Sequence, residues 1–182
     1  MEDPRYANIP KELWDRLRPG FIEKDDFITA ITSLPRSSHD LFPFVEYEGK
    51  KGILLIKRKI EPAKGMLWCL GGRQQRGYIM RDSLVNLIGG ESHLELYDIV
   101  CLSNEPEDLF WDKDPFKHEK GVHDICTAYF ARAKGELELD FRHRDSLIVT
   151  RPVLEEIKDN LHWYVRKYTE KALDIAFSKN LF

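Results

Sequence analysis

The stretch MLWCLGGR, residues 66–73, is the segment around which the rest of this chain is arranged. A short apolar strand runs directly into the pair Gly71–Gly72 and then Arg73. Because glycine has no Cβ, such a corner lets backbone groups come close to a polyanion or a metal ion. Apolar residues at helical spacing follow and predict a helix that ends at Gly89–Gly90–Glu91. They are Met80, Leu84, Leu87 and Ile88. The spacing alone indicates a strand–turn–helix corner and assigns no chemistry to it.

Length and composition indicate one globular domain. The chain has 182 residues, of which 42% are hydrophobic, far from the composition of a disordered protein. Its net charge of −3 gives no electrostatic reason to expect nucleic acid, and no apolar run is long enough to span a bilayer. The first residues lack the pattern of a signal peptide, and the three cysteines are widely spaced, as expected for buried thiols. We therefore expect a cytoplasmic protein without a nucleic-acid or membrane partner.

The order of predicted elements indicates an α+β fold. Residues 1–35 are predicted to be an N-terminal helical extension, with one helix after Pro10 and a second over 23–34. The predicted strands are 41–47, 53–60, 66–70, 96–102, 122–132 and 147–149. The first two are joined by a hairpin turn, so we expect a mixed, mostly antiparallel sheet. Residues 104–121 are predicted to be a long loop that covers a substrate. Residues 152–178 are predicted to be a long C-terminal helix whose apolar stripe packs on the core or forms a homodimer.

The segment that starts at Gly72 resembles a degraded Nudix box, the loop–helix–loop with which that family holds Mg²⁺ against a diphosphate. Four residues fit the general pattern: Gly72, Ile88, Glu91 and Leu94. The GDP-mannose mannosyl hydrolase branch of the family departs from the pattern at several of the same places. That branch has leucine where the catalytic glutamate is expected, as Leu87 here, and it keeps the last glutamate of the final pair, as Glu91 here.

The resemblance to that branch extends from about residue 27 to residue 168. It is carried by Leu34–Pro35 followed by Asp40, by ILLIKR (53–58) and PAKG (62–65), by RHRD (142–145), and by DNLH (159–162) with Arg166 and Tyr168. The resemblance implies that residues 1–182 form a single Nudix-like domain. The implied fold is an αβα sandwich with a mixed sheet and a long C-terminal helix.

The resemblance implies hydrolysis of a nucleoside-diphosphate sugar similar to GDP-mannose. In that branch water attacks the anomeric carbon, so the diphosphate leaves intact and free sugar is formed. Carried over by position, His143 is the general base and Asp40 a carboxylate that stabilises the departing group. Arg58 belongs to the catalytic set and also contacts the diphosphate, and Arg73 is a further diphosphate contact, because a guanidinium matches phosphate oxygens with two hydrogen bonds. Three aromatic residues of the 104–121 loop are candidates to stack on the base or the sugar: Phe110, Trp111 and Phe116.

The resemblance also implies a Mg²⁺ site formed by Glu91 and the carbonyl group of Gly71, with waters and phosphate completing an octahedron. Two departures weaken this site. Arg142, a substrate-binding candidate, stands where the branch has a glutamine that reaches the metal, and a guanidinium cannot ligate Mg²⁺. Asn86 replaces the arginine of the box. We therefore expect Mg²⁺ to bind weakly before the nucleotide arrives, or Arg142 to substitute for it in part.

Plainer interpretations of the same residues stay open. Without the resemblance, His143 is a surface histidine in a polar turn, Arg58 pairs with a neighbouring carboxylate, and Asp40 caps a strand. Glu91 is then a solvated residue at a helix end. The alternative function is a Nudix fold that has lost catalysis and binds a nucleotide or a protein partner as a sensor. A third function is cleavage within the diphosphate to a nucleoside monophosphate; Leu87, at the position of the usual glutamate, argues against it.

Overall fold

The computed structural model describes residues 10, 12–13, 23–113, 121–139 and 143–182 of the chain, and for residues 143 and 144 it describes the backbone alone. The elements in chain order are α1 (Lys24–Ser33), β1 (Arg36–Tyr47), β2 (Lys50–Arg58), β3 (Leu67–Trp68), β4 (Leu70–Arg73), α2 (Met80–Ser92), β5 (Glu95–Cys101), β6 (Glu107–Trp111), β7 (Val122–Lys134), β8 (His143–Val149), α3 (Arg151–Ile157), a 3₁₀ turn (Lys158–Asn160) and α4 (Trp163–Ser178). No helix within the described residues is long and apolar enough to cross a membrane.

β1 is the central strand of one mixed sheet. On one edge it pairs antiparallel with β4 along its first half and with β2 along its second half. On the other edge it runs parallel to β7, with Arg36 opposite Asp124 and Asp40 opposite Ala128. β7 in turn pairs antiparallel with β6 and β5, and β2 pairs antiparallel with β3 and β8. The expected α+β fold with a mixed, mostly antiparallel sheet is confirmed.

The two faces of the sheet bury separate cores because side chains alternate along each strand. On one face, Phe42 and Leu55 belong to a cluster that α4 completes with Tyr164, Tyr168 and other residues. On the other face, a second cluster includes α2 through its buried apolar side chains. Its members are Leu41, Val45, Leu54, Ile56, Leu70, Leu84, Ile88, Leu94, Ala131 and Ala133. The sheet therefore lies between helices, as in the αβα sandwich that the resemblance implies.

The glycine pair does not form the turn that we expected. Gly71 and Gly72 are strand residues of β4, where they lie opposite Asp40 and His39 of β1. The following helix was expected to end at Gly89–Gly90–Glu91, and α2 ends one residue later, at Ser92. A helix tolerates internal glycines at a modest cost when its apolar face is well packed.

Two further predictions about elements are corrected. The segment 104–121 contains the strand β6, whose backbone pairs with β7, so this part is not a loose loop; residues 114–120 lie outside the described part. The C-terminal helix 152–178 is two helices, because the chain leaves the helical path after the 3₁₀ turn and restarts at His162. The His162 Nδ1 atom accepts a hydrogen bond from the Tyr164 backbone N–H and so caps α4.

Two other expectations concern the helices near the N-terminus and the C-terminus. In the N-terminal extension, α1 confirms the second predicted helix, and the first falls almost wholly outside the described residues. The apolar stripe of the C-terminal segment is accounted for by the core, since Val165, Ala172 and Leu173 of α4 are fully buried against the sheet. A homodimer stays a prediction.

Candidate active-site cavity

One cavity brings together most of the site residues that the sequence singles out. It has a volume of about 180 Å³ and lies where β1, β2, β4, β6, β7 and the end of α2 meet. Its polar lining is Arg36, Ser38, Asp40, Arg58, Glu61, Arg73, Glu91, Asp124 and Cys126, together with the backbone of Gly71 and Gly72. Asp40, Arg58, Arg73, Gly71 and Glu91, which the resemblance selected as site residues, therefore lie around a common space.

Asp40 is a buried carboxyl whose proton affinity is raised. Asp40 is 6% exposed, and burial raises the pKa of its carboxyl group from 3.8 to about 6. The Tyr164 hydroxyl lies beside it and lowers the pKa in part, without reaching the geometry of a full hydrogen bond. The charge of Asp124 raises the pKa further, and that of Arg58 lowers it. Asp40 lies in the middle of a strand, so the interpretation of this residue as a strand cap is wrong.

Gly71 gives Asp40 the space that it occupies. A Cβ at position 71 would lie 2.5 Å from the Asp40 Oδ1 atom and 2.5 Å from the His39 carbonyl oxygen. Its backbone has a φ of +154°, which side-chain-bearing residues rarely adopt. Glycine is thus required here by the close approach of two strands.

Arg58 is the last residue of β2, and it contributes a positive charge to the cavity. A register irregularity between Ile56 and Arg58 changes the side-chain alternation at this point, as β-bulges do beside binding sites. Across the antiparallel pair, the backbone of His143 lies opposite Arg58. The catalytic role of His143 stays a prediction, because its side chain is outside the description, and Arg142 lies outside the described residues altogether.

Arg73 lies at the cavity rim beside a second arginine that the sequence analysis missed. Its guanidinium carbon is 4.4 Å from the centre of the Phe27 ring, and partial burial and the charge of Arg36 lower its pKa. Arg36 is fixed by Asp124: its Nε atom donates to Oδ1 at 2.6 Å and its Nη2 atom donates to Oδ2 at 2.7 Å. Among the residues that the structure describes, three arginines line the cavity: Arg36, Arg58 and Arg73.

A period-two pattern along β1 could have indicated Arg36, because residues 36, 38 and 40 share one face of the strand. No local signal could have indicated Asp124. It is 88 residues away in sequence and meets Arg36 through the parallel register of β1 and β7.

Glu91 is the acidic residue of α2 that reaches the cavity. It is 2% exposed, so the interpretation of this residue as a solvated helix end is wrong. Among the described residues, no group of three metal-ligating side chains converges. Mg²⁺ is commonly held by one or two carboxylates, with waters and substrate phosphates as the other ligands. Glu91 and Gly71 therefore fit an ion that binds together with a diphosphate, and do not fit a metal cage made by the protein alone.

Aromatic side chains form one wall of the cavity. Trp68 and Trp111 both line it, with their ring centres 5.2 Å apart and edge-on to each other. Trp111 therefore lies where a residue that stacks on a ligand in this cavity would have to lie. Phe110 does not: it is 74% exposed and stacks on His123 outside the cavity lining. Phe116 lies outside the described residues.

Two cysteines contribute thiols to the surroundings of Asp40. Burial raises the pKa of both Cys69 and Cys126, and the Cys126 Sγ atom lies 2.8 Å from the Ser38 hydroxyl. These two confirm the expectation of buried thiols. Cys101 does not, because it is exposed on β5; all three cysteines are free.

A scan against protein-family models gives no match, and a search of curated proteins gives none. Several solved structures are similar in fold to this chain. A MutT Nudix hydrolase from Burkholderia pseudomallei has a TM-score of 0.54 and 22% identity, over 76% of this chain and 98% of that one. The Nudix domain of Shewanella oneidensis NrtR, complexed with ADP ribose, has a TM-score of 0.53 and 13% identity over the whole of both chains.

A third similar structure is a bifunctional NMN adenylyltransferase/ADP ribose pyrophosphatase from Francisella tularensis, complexed with AMP and a manganese ion. It has a TM-score of 0.55 and 14% identity, over 86% of this chain and 45% of that one. Together these likenesses show that the chain has the Nudix fold, as the sequence analysis expected.

Proposed function

We propose that this chain is a Nudix-type hydrolase that converts a nucleoside-diphosphate sugar, similar to GDP-mannose, to a nucleoside diphosphate and free sugar with Mg²⁺ assistance. The observation that carries the proposal is that Asp40, Arg58, Arg73 and Glu91 line one cavity although they come from four different elements. The hydrolases among the structures with this fold support hydrolysis of a nucleoside-diphosphate derivative as the general reaction, without specifying which bond is broken. A cytoplasmic location belongs to this proposal.

In the proposed reaction, a water oxygen attacks the anomeric carbon and the bond from that carbon to the diphosphate oxygen breaks. The bonding electron pair stays on the diphosphate oxygen, and the proton of the water passes to His143. Arg58 and Arg73 stabilise the charge that develops on the diphosphate, because fixed cations in a partly buried cavity act more strongly than in water. Asp40, with a pKa of about 6, exchanges its proton near neutral pH and can hold that proton beside the departing oxygen. A bound Mg²⁺ would supply further positive charge at the diphosphate.

The test is incubation of the full chain with a panel of nucleotide sugars and Mg²⁺ in water enriched in heavy oxygen. We expect a nucleoside diphosphate and a free sugar, with the heavy oxygen in the sugar, because attack occurs at carbon. His143→Ala should lower kcat by about 100-fold or more, as loss of a general base does. His123→Ala is the matched control, since His123 lies outside the cavity lining and should keep full activity.

A different product would contradict the proposal. Heavy oxygen in a nucleoside monophosphate would indicate cleavage within the diphosphate. That outcome is not expected, because the residue at the position of the usual glutamate is Leu87, whose Cδ2 atom would lie 3.1 Å from a Cβ placed on Gly72. Leu87 therefore offers an apolar group at the cavity edge where that reaction needs a carboxylate.

The second candidate is a Nudix-fold sensor that binds a nucleotide without turning it over. It is favoured because no group of three metal-ligating side chains converges among the described residues. If no member of the panel is hydrolysed while one of them raises the melting temperature, this second function is supported and the hydrolase is excluded for that panel.

A further inference from the structure

Arg36 and Arg73 separate the cavity described above from a second one. Both arginines line both cavities, so the two spaces meet at this pair. The second cavity has a volume of about 370 Å³, which lies within the range of ligand pockets, roughly 300–1,000 Å³. It is formed by α1 and by the segment between β4 and α2.

The boundary between the two cavities carries more positive than negative charge. Asp124 accepts two hydrogen bonds from Arg36 and neutralises that guanidinium. Arg73, in contrast, makes no ion pair with any residue that the structure describes, and the Phe27 ring is its neighbour. The two guanidinium groups repel each other, and a phosphate bound between them would relieve that repulsion.

The walls of the second cavity are mostly apolar and carry a few hydrogen-bonding groups. Ile31, Leu34 and Pro35 line one side, and Tyr78 lines the other. Leu34 is 67% exposed, so its side chain is accessible from the cavity. Hydrogen-bonding side chains are supplied by Ser37, Gln74, Gln75 and Arg76. Apolar walls with a few polar groups suit the flat face and polar edge of a nucleobase, whereas a sugar would need more hydrogen-bonding partners.

We propose that the second cavity binds the nucleoside of the substrate, with the adjoining phosphate held between Arg36 and Arg73. This inference rests on the proposed function, because cleavage at the anomeric carbon requires the sugar to lie in the first cavity beside Asp40. The diphosphate then extends from Arg58 to the arginine pair, and the nucleoside follows on the far side. Arg36, held by Asp124, becomes a third diphosphate-binding arginine.

The test compares ligands with and without a nucleoside by isothermal titration calorimetry on the full chain with Mg²⁺. The probes are inorganic pyrophosphate, ADP and GDP. In the wild-type chain we expect at least one nucleoside diphosphate to bind about tenfold or more tightly than pyrophosphate, since stacking of one base contributes about 1–3 kcal/mol.

A substitution that fills the second cavity should remove this gain. Ala30 is exposed on α1 and lines the cavity, so Ala30→Trp should reduce the affinity for the nucleoside diphosphate to that for pyrophosphate and leave pyrophosphate binding unchanged. Thr29→Trp is the matched control. Thr29 is exposed on the same helix and is not part of the cavity lining, so both affinities should be kept.

The role of Arg36 is tested with a paired substitution, because removing the arginine alone would leave the Asp124 carboxylate buried without its partner. Arg36→Gln combined with Asp124→Asn should weaken the binding of pyrophosphate and of the nucleoside diphosphate by a similar factor, about tenfold.

The outcomes separate this inference from the proposed function. If the wild type binds pyrophosphate and hydrolyses a nucleotide sugar, but Ala30→Trp keeps the gain from the nucleoside, the second cavity is not the nucleoside site and the inference fails alone. The same holds if the paired substitution leaves pyrophosphate binding unchanged. If the wild type binds neither pyrophosphate nor a nucleoside diphosphate, both proposals fall.

Discussion

At the scale of single residues, two neighbours on β1 respond to pH in opposite directions. Burial raises the pKa of Asp40 from 3.8 to about 6 and lowers the pKa of His39 from 6.5 to about 4. His39 is fully buried, and neither ring nitrogen has a hydrogen-bond partner among the described residues. Both groups are therefore neutral at about pH 5, although they point to opposite faces of the sheet.

The two shifts have opposite effects on stability in the same pH window. Folded Asp40 binds more protons than unfolded Asp40 between pH 3.8 and about 6, so its contribution is present below 3.8 and is lost as pH rises through about 6. Folded His39 binds fewer protons than unfolded His39 between about 4 and 6.5, so its contribution is present above 6.5 and is lost as pH falls through about 4. Each contribution is about 3 kcal/mol, so the two nearly cancel.

Asp40→Asn should expose this cancellation. The free energy of unfolding of the variant, measured with urea, should increase by about 3 kcal/mol more than that of the wild type as pH rises from about 4 to about 6.5. The exposed Asp159→Asn is the control and should follow the wild-type curve. Parallel curves for Asp40→Asn and the wild type would show that the Asp40 carboxyl is not perturbed.

The resemblance supplied Asp40, Arg58, Arg73 and Glu91 as residues of one site because each lies in a motif of local sequence. It did not supply Arg36, because the contact of Arg36 with Asp124 depends on which strand lies beside β1. The parallel pairing of β1 with β7 joins segments far apart in the chain, and no periodicity within either segment specifies that register.

At the scale of elements, the approach of β4 to β1 determines the shape of the site. Glycine pairs are typical of turns, and the sequence therefore predicts a turn at Gly71. The structure assigns it to a strand, in which a side chain would collide with Asp40. Both interpretations use the same property of glycine, and the choice between them depends on tertiary contacts that a single sequence does not display.

Gly71→Ala should separate β4 from β1 at this point. We expect a loss of about 1–3 kcal/mol in the free energy of unfolding and a loss of activity, because the added methyl group meets backbone as well as the Asp40 carboxyl. Gly89→Ala is the matched control. A Cβ at Gly89 would have no heavy atom within 4 Å, so that variant should be more stable by about 0.5–1 kcal/mol. Equal stabilities for the two variants would exclude the proposed collision.

Element prediction succeeded where the apolar periodicity was strong, as in α1, α2 and the hairpin of β1 and β2. It failed where a strand was short and began with charged residues. β6 has the sequence EDLFW, and its pairing with β7 keeps it in the sheet despite its charged start. The break between α3 and α4 was also missed, because the apolar stripe continues across it.

At the scale of the whole molecule, the site exists only when the sheet and α2 are assembled, since its lining comes from strands across the sheet and from the last turn of one helix. Among the described residues, three arginines and four carboxyl groups line the cavity, and no three side chains converge as metal ligands. The protein alone therefore does not form a metal cage, and a divalent cation should enter along with a diphosphate.

Titration of Mg²⁺ by calorimetry tests this coupling. We expect weak binding of Mg²⁺ to the free chain and binding at least about tenfold tighter in the presence of a nucleoside diphosphate. The nucleoside diphosphate should gain the same factor in affinity from Mg²⁺, because coupling between two bound ligands is reciprocal. Glu91→Gln should abolish the coupling. Tight binding of Mg²⁺ to the free wild-type chain would contradict the expectation.

The burial of Cys69 and Cys126 has a practical consequence for experiments. Thiolate is the form that reacts with maleimides and iodoacetamides, and these two thiols are both inaccessible and held protonated. Cys101 is exposed and lies outside the lining of both cavities. The natural chain therefore offers a single attachment point for a fluorophore or spin label, at a distance from the proposed chemistry and without any cysteine replacement.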